Sequence, residues 1–164
     1  GMAVARELGN GLLTVRPQGG FPWVAQVVVG TVLEPGENPG SERALAAAGH
    51  GAALYYHVMY DGGRGWGDLD ALPEGTVWRR RAEQLPQRTR HLAVHAGHLV
   101  TMNELDRGVL SGATLAALGV ALEASAWQAR LTESERAGVT EIVYQPAGPN
   151  IERELTAFAK MAGL

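Results

Sequence analysis

The sequence predicts an α/β fold with few strands, and three observations predict it. Phe21 to Leu33 (FPWVAQVVVGTVL) is a near-continuous β-branched run of the kind that a parallel sheet buries on both faces. Ala137 to Leu164 reads as one strand, one turn and one capped helix. Between the two lies a long stretch of mostly helical pattern, so few parallel strands must carry a large helical excursion.

Taken in order, Val4 to Leu8 reads as the tail of a helix, Gly9 to Gly11 as its exit and Leu12 to Val15 as a short strand. The strand Phe21 to Leu33 ends in a polar loop from Glu34 to Gly40. Ser41 then caps a helix running to about Tyr60, whose Gly49 and Gly51 each cost about 1 kcal/mol relative to alanine. Asp61 to Pro86 is punctuated by GGRGWG and LPEG and predicts only short helical pieces. A second long helix is predicted from Gln87 to Arg107, followed by a flexible region from Ser111 to Gly119. Ser125 caps a third helix through Arg136. Thr140 to Tyr144 is a short strand, stopped by Pro146, Gly148 and Pro149. Asn150 caps the last helix, in which Ile151, Leu155, Phe158 and Ala162 form one apolar stripe; Glu152 sits near its positive end, Lys160 in its last turn and Gly163 at its stop.

Composition narrows the function classes. A chain of 164 residues with 46% hydrophobic and 19% charged residues is expected to fold as a single domain spanning 1–164. A net charge of -3 offers no electrostatic footprint for nucleic acid, and no run of about 18 apolar residues offers a membrane span. With no cysteine, disulfides, thiolate catalysis and thiolate metal sites are excluded, and a cytoplasmic location is expected. Trp66, Trp78 and Trp127 are spread as core anchors, and Arg79, Arg80 and Arg81 read as a solvated helix edge.

Three segments carry a family resemblance: ELGNGLLTV (Glu7 to Val15), VVVGTVLEPGE (Val27 to Glu37) and AGVTEIVYQPAGPNIEREL (Ala137 to Leu155). Together they resemble the C-terminal part of the luciferase-like monooxygenase family of flavin- or deazaflavin-dependent oxidoreductases. The resemblance implies a partial (β/α) TIM-barrel-like segment, with FMN or a deazaflavin (coenzyme F-420) at the C-terminal mouth. It implies hydride transfer or monooxygenation of a small organic substrate. Because barrel sites lie at the C-terminal ends of strands, Arg16, Thr31, Gln145 and Gly148 become the cofactor-binding candidates. A whole barrel usually takes about eight strands and roughly 250 residues. The sheet is therefore expected to be completed by a further barrel half or by a second copy in a homo-oligomer, and a non-catalytic assembly module is the alternative function.

All five histidines fall on the two long predicted helices. At about 100° per residue, His91, His95 and His98 lie within about 60° of one another, and Met102 continues the stripe. His50, Leu54, His57 and Asp61 share a face of the earlier helix. If the two helices pack as a hairpin, imidazoles and a carboxylate meet. Three uses are open to them: buried polar packing, an acid/base role with His57, His95 and His98 as the catalytic candidates, and a zinc or nickel site completed by His57 or Asp61. No HExxH signature accompanies the last, and no metal ligand is assigned.

Overall fold

In the computed structural model, which describes residues 2–63 and 65–164, α1 (Met2–Leu8) leads into β1 (Gly11–Thr14), and β2 (Trp23–Val29) follows. The predicted strand Phe21 to Leu33 is in fact two. Gly30, at φ +135°, turns the chain out of β2 into β3 (Thr31–Val32), and a Cβ there would lie 2.2 Å from the Val120 carbonyl oxygen. Only glycine permits both that dihedral and that approach.

The excursion comprises α2 (Glu42–Tyr60), a 3-10 turn at Leu69–Ala71, α3 (Gly75–Gln84), α4 (Arg90–Val94), α5 (Glu104–Arg107) and α6 (Gly112–Leu118). The chain returns through β4 (Ala121–Leu122), α7 (Ala124–Arg136), β5 (Glu141–Gln145) and α8 (Ile151–Ala162). The result is a mixed α/β fold in which every strand pairing is parallel. One sheet has the order β1-β2-β5, with Leu13 opposite Ala25 and Val27 opposite Val143; the other pairs β3 with β4. The larger sheet does not close: among the described residues β1 and β5 are open edges, and Leu13, Trp23 and Val143 are exposed on it.

Two hydrophobic cores hold these layers. The larger gathers Tyr56, Trp78, Leu69 and Leu115 around the alanine stripe Ala44, Ala48 and Ala52 of α2, whose small side chains admit close neighbours. The smaller packs Trp127, Phe158 and Met161 of α7 and α8 on Val28 and Val32. Burying each of the large side chains contributes about 1.5–3 kcal/mol. Ser41 and Asn150 cap α2 and α8 as expected, accepting the N–H groups of Ala44 (3.1 Å) and Arg153 (3.0 Å).

Two further expectations are corrected. The predicted helix Gln87 to Arg107 is broken: Gly97 (φ +69°) and Leu99 (φ +65°) leave helical space, and Asn103 turns its side chain to local backbone. Asn103 Nδ2 donates to the Val94 carbonyl (2.7 Å), while its Oδ1 accepts the Asp106 N–H (2.9 Å), so one residue closes α4 and opens α5. The region Ser111 to Gly119 is not a loop but α6, started at Ser111, whose N–H donates to Thr114 Oγ1 (3.3 Å), and ended by Gly119. No helix among the described residues is long and apolar enough to cross a membrane.

Candidate functional site

The three catalytic candidates converge. His57 lies in the last turn of α2 and is only 2% exposed. His95 caps the C-terminus of α4, and His98 follows on the turn whose N–H returns to the His95 carbonyl (3.1 Å). His98 Nδ1 is 3.1 Å from His57 Nδ1 and 3.3 Å from His95 Nδ1. The His57 and His98 rings stack, with centroids 5.3 Å apart, and His95 meets both edge-on.

Carboxylates stand behind two of the rings. His57 Nε2 lies 3.1 Å from Asp106 Oδ1, and His95 Nε2 lies 3.0 Å from Asp61 Oδ2. Asp106 is completely buried, yet Trp78 Nε1 donates to its Oδ1 (3.0 Å) and the Asn103 N–H to its Oδ2 (3.3 Å). Every neighbour of this carboxylate is a donor, which is the condition under which a buried charge is tolerated. The result is a line of side chains within hydrogen-bond distance of one another, Asp106–His57–His98–His95–Asp61, running from the core to the surface. Burial, and after it the neighbouring His57 and His95, holds His98 below the ordinary imidazole range.

The other histidines stand apart. His91 lies exposed on α4, one helical turn before His95, and joins no part of the cluster. His50 is 2% exposed with neither ring nitrogen hydrogen-bonded, and burial alone depresses its basicity.

The four cofactor candidates are not brought together, and no hydrogen bond joins any two of them. The Arg16 guanidinium lies 3.6 Å over the Trp66 ring and donates to the Gly65 carbonyl (2.5 Å). Gln145 Nε2 donates to the Leu99 carbonyl (2.8 Å), tying the histidine turn to the end of β5. Gly148 packs its backbone on Ala46 and Ala47 of α2. Thr31 is wholly buried; its hydroxyl donates to Glu154 Oε2 (2.6 Å) and accepts from Arg43 Nη1 (2.9 Å) and Arg153 Nη1 (3.2 Å). That uses its one proton and both lone pairs, so Thr31 fastens α8 to β3 and has nothing left for a ligand. Each of these four strand-end residues is thus engaged with its own neighbours, and they do not by themselves form one cradle. A groove of about 890 Å³ between β3, α7 and α8 is lined by Glu34, Ser125, Gln128, Arg153 and Lys160 among others, and by no histidine.

The Thr31 cluster extends outward to Glu37, which pairs with both guanidinium edges of Arg43. The hydrogen bond from Arg43 is the main cause that lowers the Glu37 carboxyl from 4.5 to about 2, with desolvation opposing it. A depressed carboxylate stabilises the folded state fully above its unfolded value near 4.5 and loses that contribution as pH falls toward about 2. The urea midpoint of the native chain is therefore expected to fall more steeply between those values than that of Glu37→Gln; identical slopes would show that the pair does not couple to folding.

Compared with protein-family profiles, curated proteins and solved structures, the chain matches none of them. Asp106 and Trp78 are the site residues that sequence reasoning missed. The spacing Asn103-x-x-Asp106 is a capping-box pattern and was the available signal for a locally held carboxylate.

Proposed function

We propose that this chain is part of a luciferase-like flavin- or deazaflavin-dependent oxidoreductase acting on a small organic substrate, with the histidine chain as its proton-handling group. The observation that carries the reading is where the excursion is tied. Gly65 and Trp66 sit on Arg16 just after β1, and Leu99 is held by Gln145 at the end of β5. Both anchors are at the C-terminal ends of parallel strands, one on each side of β2, the end at which barrel enzymes build their sites. FMN or coenzyme F-420 would supply the hydride chemistry when bound. What this chain adds is a run of imidazoles close enough to one another to pass a proton. On this reading further strands, from the rest of a barrel or a second copy, pair along the open edges of β1 and β5.

Titration of the purified protein with FMN and, separately, with coenzyme F-420 tests this. Saturable quenching of one chromophore in the micromolar range, with oxidation of a hydride donor, is expected; no binding of either at high micromolar concentration rejects it. The open edges and exposed Leu13, Trp23 and Val143 favour one second reading, a non-catalytic assembly module. Sedimentation as a stable monomer would reject that module.

A further inference from the structure

The inward nitrogens of the histidine cluster hold too few protons for their spacing. A carboxylate accepts only, so His57 Nε2 facing Asp106 and His95 Nε2 facing Asp61 must each carry the ring proton. In the neutral rings His57 Nδ1 and His95 Nδ1 are then bare lone pairs. His98 can donate its Nδ1 proton to one of them, not to both. The remaining contact sets lone pair against lone pair at 3.1 or 3.3 Å. A positive charge at the centre of the three nitrogens would satisfy every one of them.

The two separations from His98 match such a charge. A tetrahedral zinc ion with nitrogen ligands at about 2.0–2.1 Å places those ligands about 3.3 Å from one another. The observed separations from His98 Nδ1 are 3.1 and 3.3 Å, and one nitrogen from each of the three residues lies within 4.8 Å of the others. Asp106 and Asp61 reproduce the carboxylate–histidine arrangement that fixes ring tautomer and orientation at metal centres. Their two negative charges balance a divalent ion. Three imidazoles with no thiolate or carboxylate in direct reach select zinc, nickel or copper over calcium or magnesium.

We propose that His57, His95 and His98 bind one zinc ion through their Nδ1 atoms, oriented by Asp106 and Asp61. Three protein ligands leave a fourth position for water or a ligand, and the partly exposed His95 gives the ion its way in. The inference is independent of the flavin reading. An ion held there would make a water at its fourth position, in place of the rings, the group able to give up a proton.

The test uses protein made without a histidine tag, stripped of metal by chelator and dialysed. Zinc is then titrated and bound metal counted by elemental analysis, with cobalt as a spectroscopic probe. The expected results are about one zinc per chain, a higher melting temperature with zinc, and the intense visible absorption of four-coordinate cobalt. His95→Ala and His98→Ala, both at partly exposed positions, should each abolish stoichiometric binding while keeping the native circular dichroism. Asp61→Asn should weaken zinc about 10-fold or more. His57 is avoided because its removal also opens the core. Failure to bind zinc or cobalt stoichiometrically, or undiminished binding by the His95→Ala/His98→Ala double variant, overturns the proposal. None of these readouts requires a flavin.

Discussion

Replacing Asp106 by alanine is expected to lower the free energy of unfolding by about 3–5 kcal/mol, seen as a large drop in urea midpoint. The side chain is wholly buried and serves three donors: Trp78 Nε1, His57 Nε2 and the Asn103 N–H. Alanine leaves all three without an acceptor, and each orphaned buried donor costs about 1–3 kcal/mol. The full sum is not expected, because water entering beside the half-exposed His95 partly resolvates the group. The loss is also structural, since the capping box opening α5 disappears with the carboxylate. Asp106→Asn separates the contributions. It can keep an acceptor for Trp78 and His57 while presenting an amide nitrogen to the Asn103 N–H, and should cost about 1–3 kcal/mol. A change below about 1 kcal/mol for the alanine variant would show that this carboxylate does not organise the core around His57.

Much of this arrangement was legible in the sequence, for reasons that can be located. The caps at Ser41 and Asn150 and the closing strand and helix are local signals, and local signals survive into the fold. The break at Gly30 was hidden because its cause, the Val120 carbonyl, is contributed by a segment distant in sequence. The helix expected over Gln87 to Arg107 failed at Gly97 and Asn103, where side-chain and backbone preferences for turns outcompeted the apolar spacing. His95 and His98 nevertheless meet His57, because the turn that replaces the helix still returns the His98 N–H to the His95 carbonyl and keeps both rings on one side. His91 keeps its helical turn to His95 but lies exposed, outside the site. At the strand ends the side chains are held by partners distant in sequence. Arg16, Thr31 and Gln145 had already been taken by Trp66, Glu154 and Leu99, contacts that no spacing rule reports.

The largest effect outside the histidine cluster is expected at Glu154, where alanine should cost about 3–5 kcal/mol. This carboxylate is 2% exposed in the first turn of α8, where the helix dipole also favours it. It accepts from the Thr31 hydroxyl (2.6 Å), Arg43 Nη1 (2.9 Å) and Arg153 Nη1 (3.1 Å), and so joins β3, α2 and α8 at one point. Removing it takes a shared, buried counter-charge from two guanidinium groups. Both keep some partners, Arg43 through Glu37 and Arg153 through Glu34 and the Val32 carbonyl, which places the loss toward the lower end of that range. Glu154→Gln keeps an acceptor for Thr31 but not the charge and should fall between the native chain and Glu154→Ala. The decisive comparison is a double-mutant cycle with Arg43→Met. If Glu154 acts mainly by neutralising Arg43, the double variant should be less destabilised than the sum of the single ones by about 0.5–3 kcal/mol. Strict additivity would mean that Glu154 stabilises the fold through Thr31 and helix α8 alone.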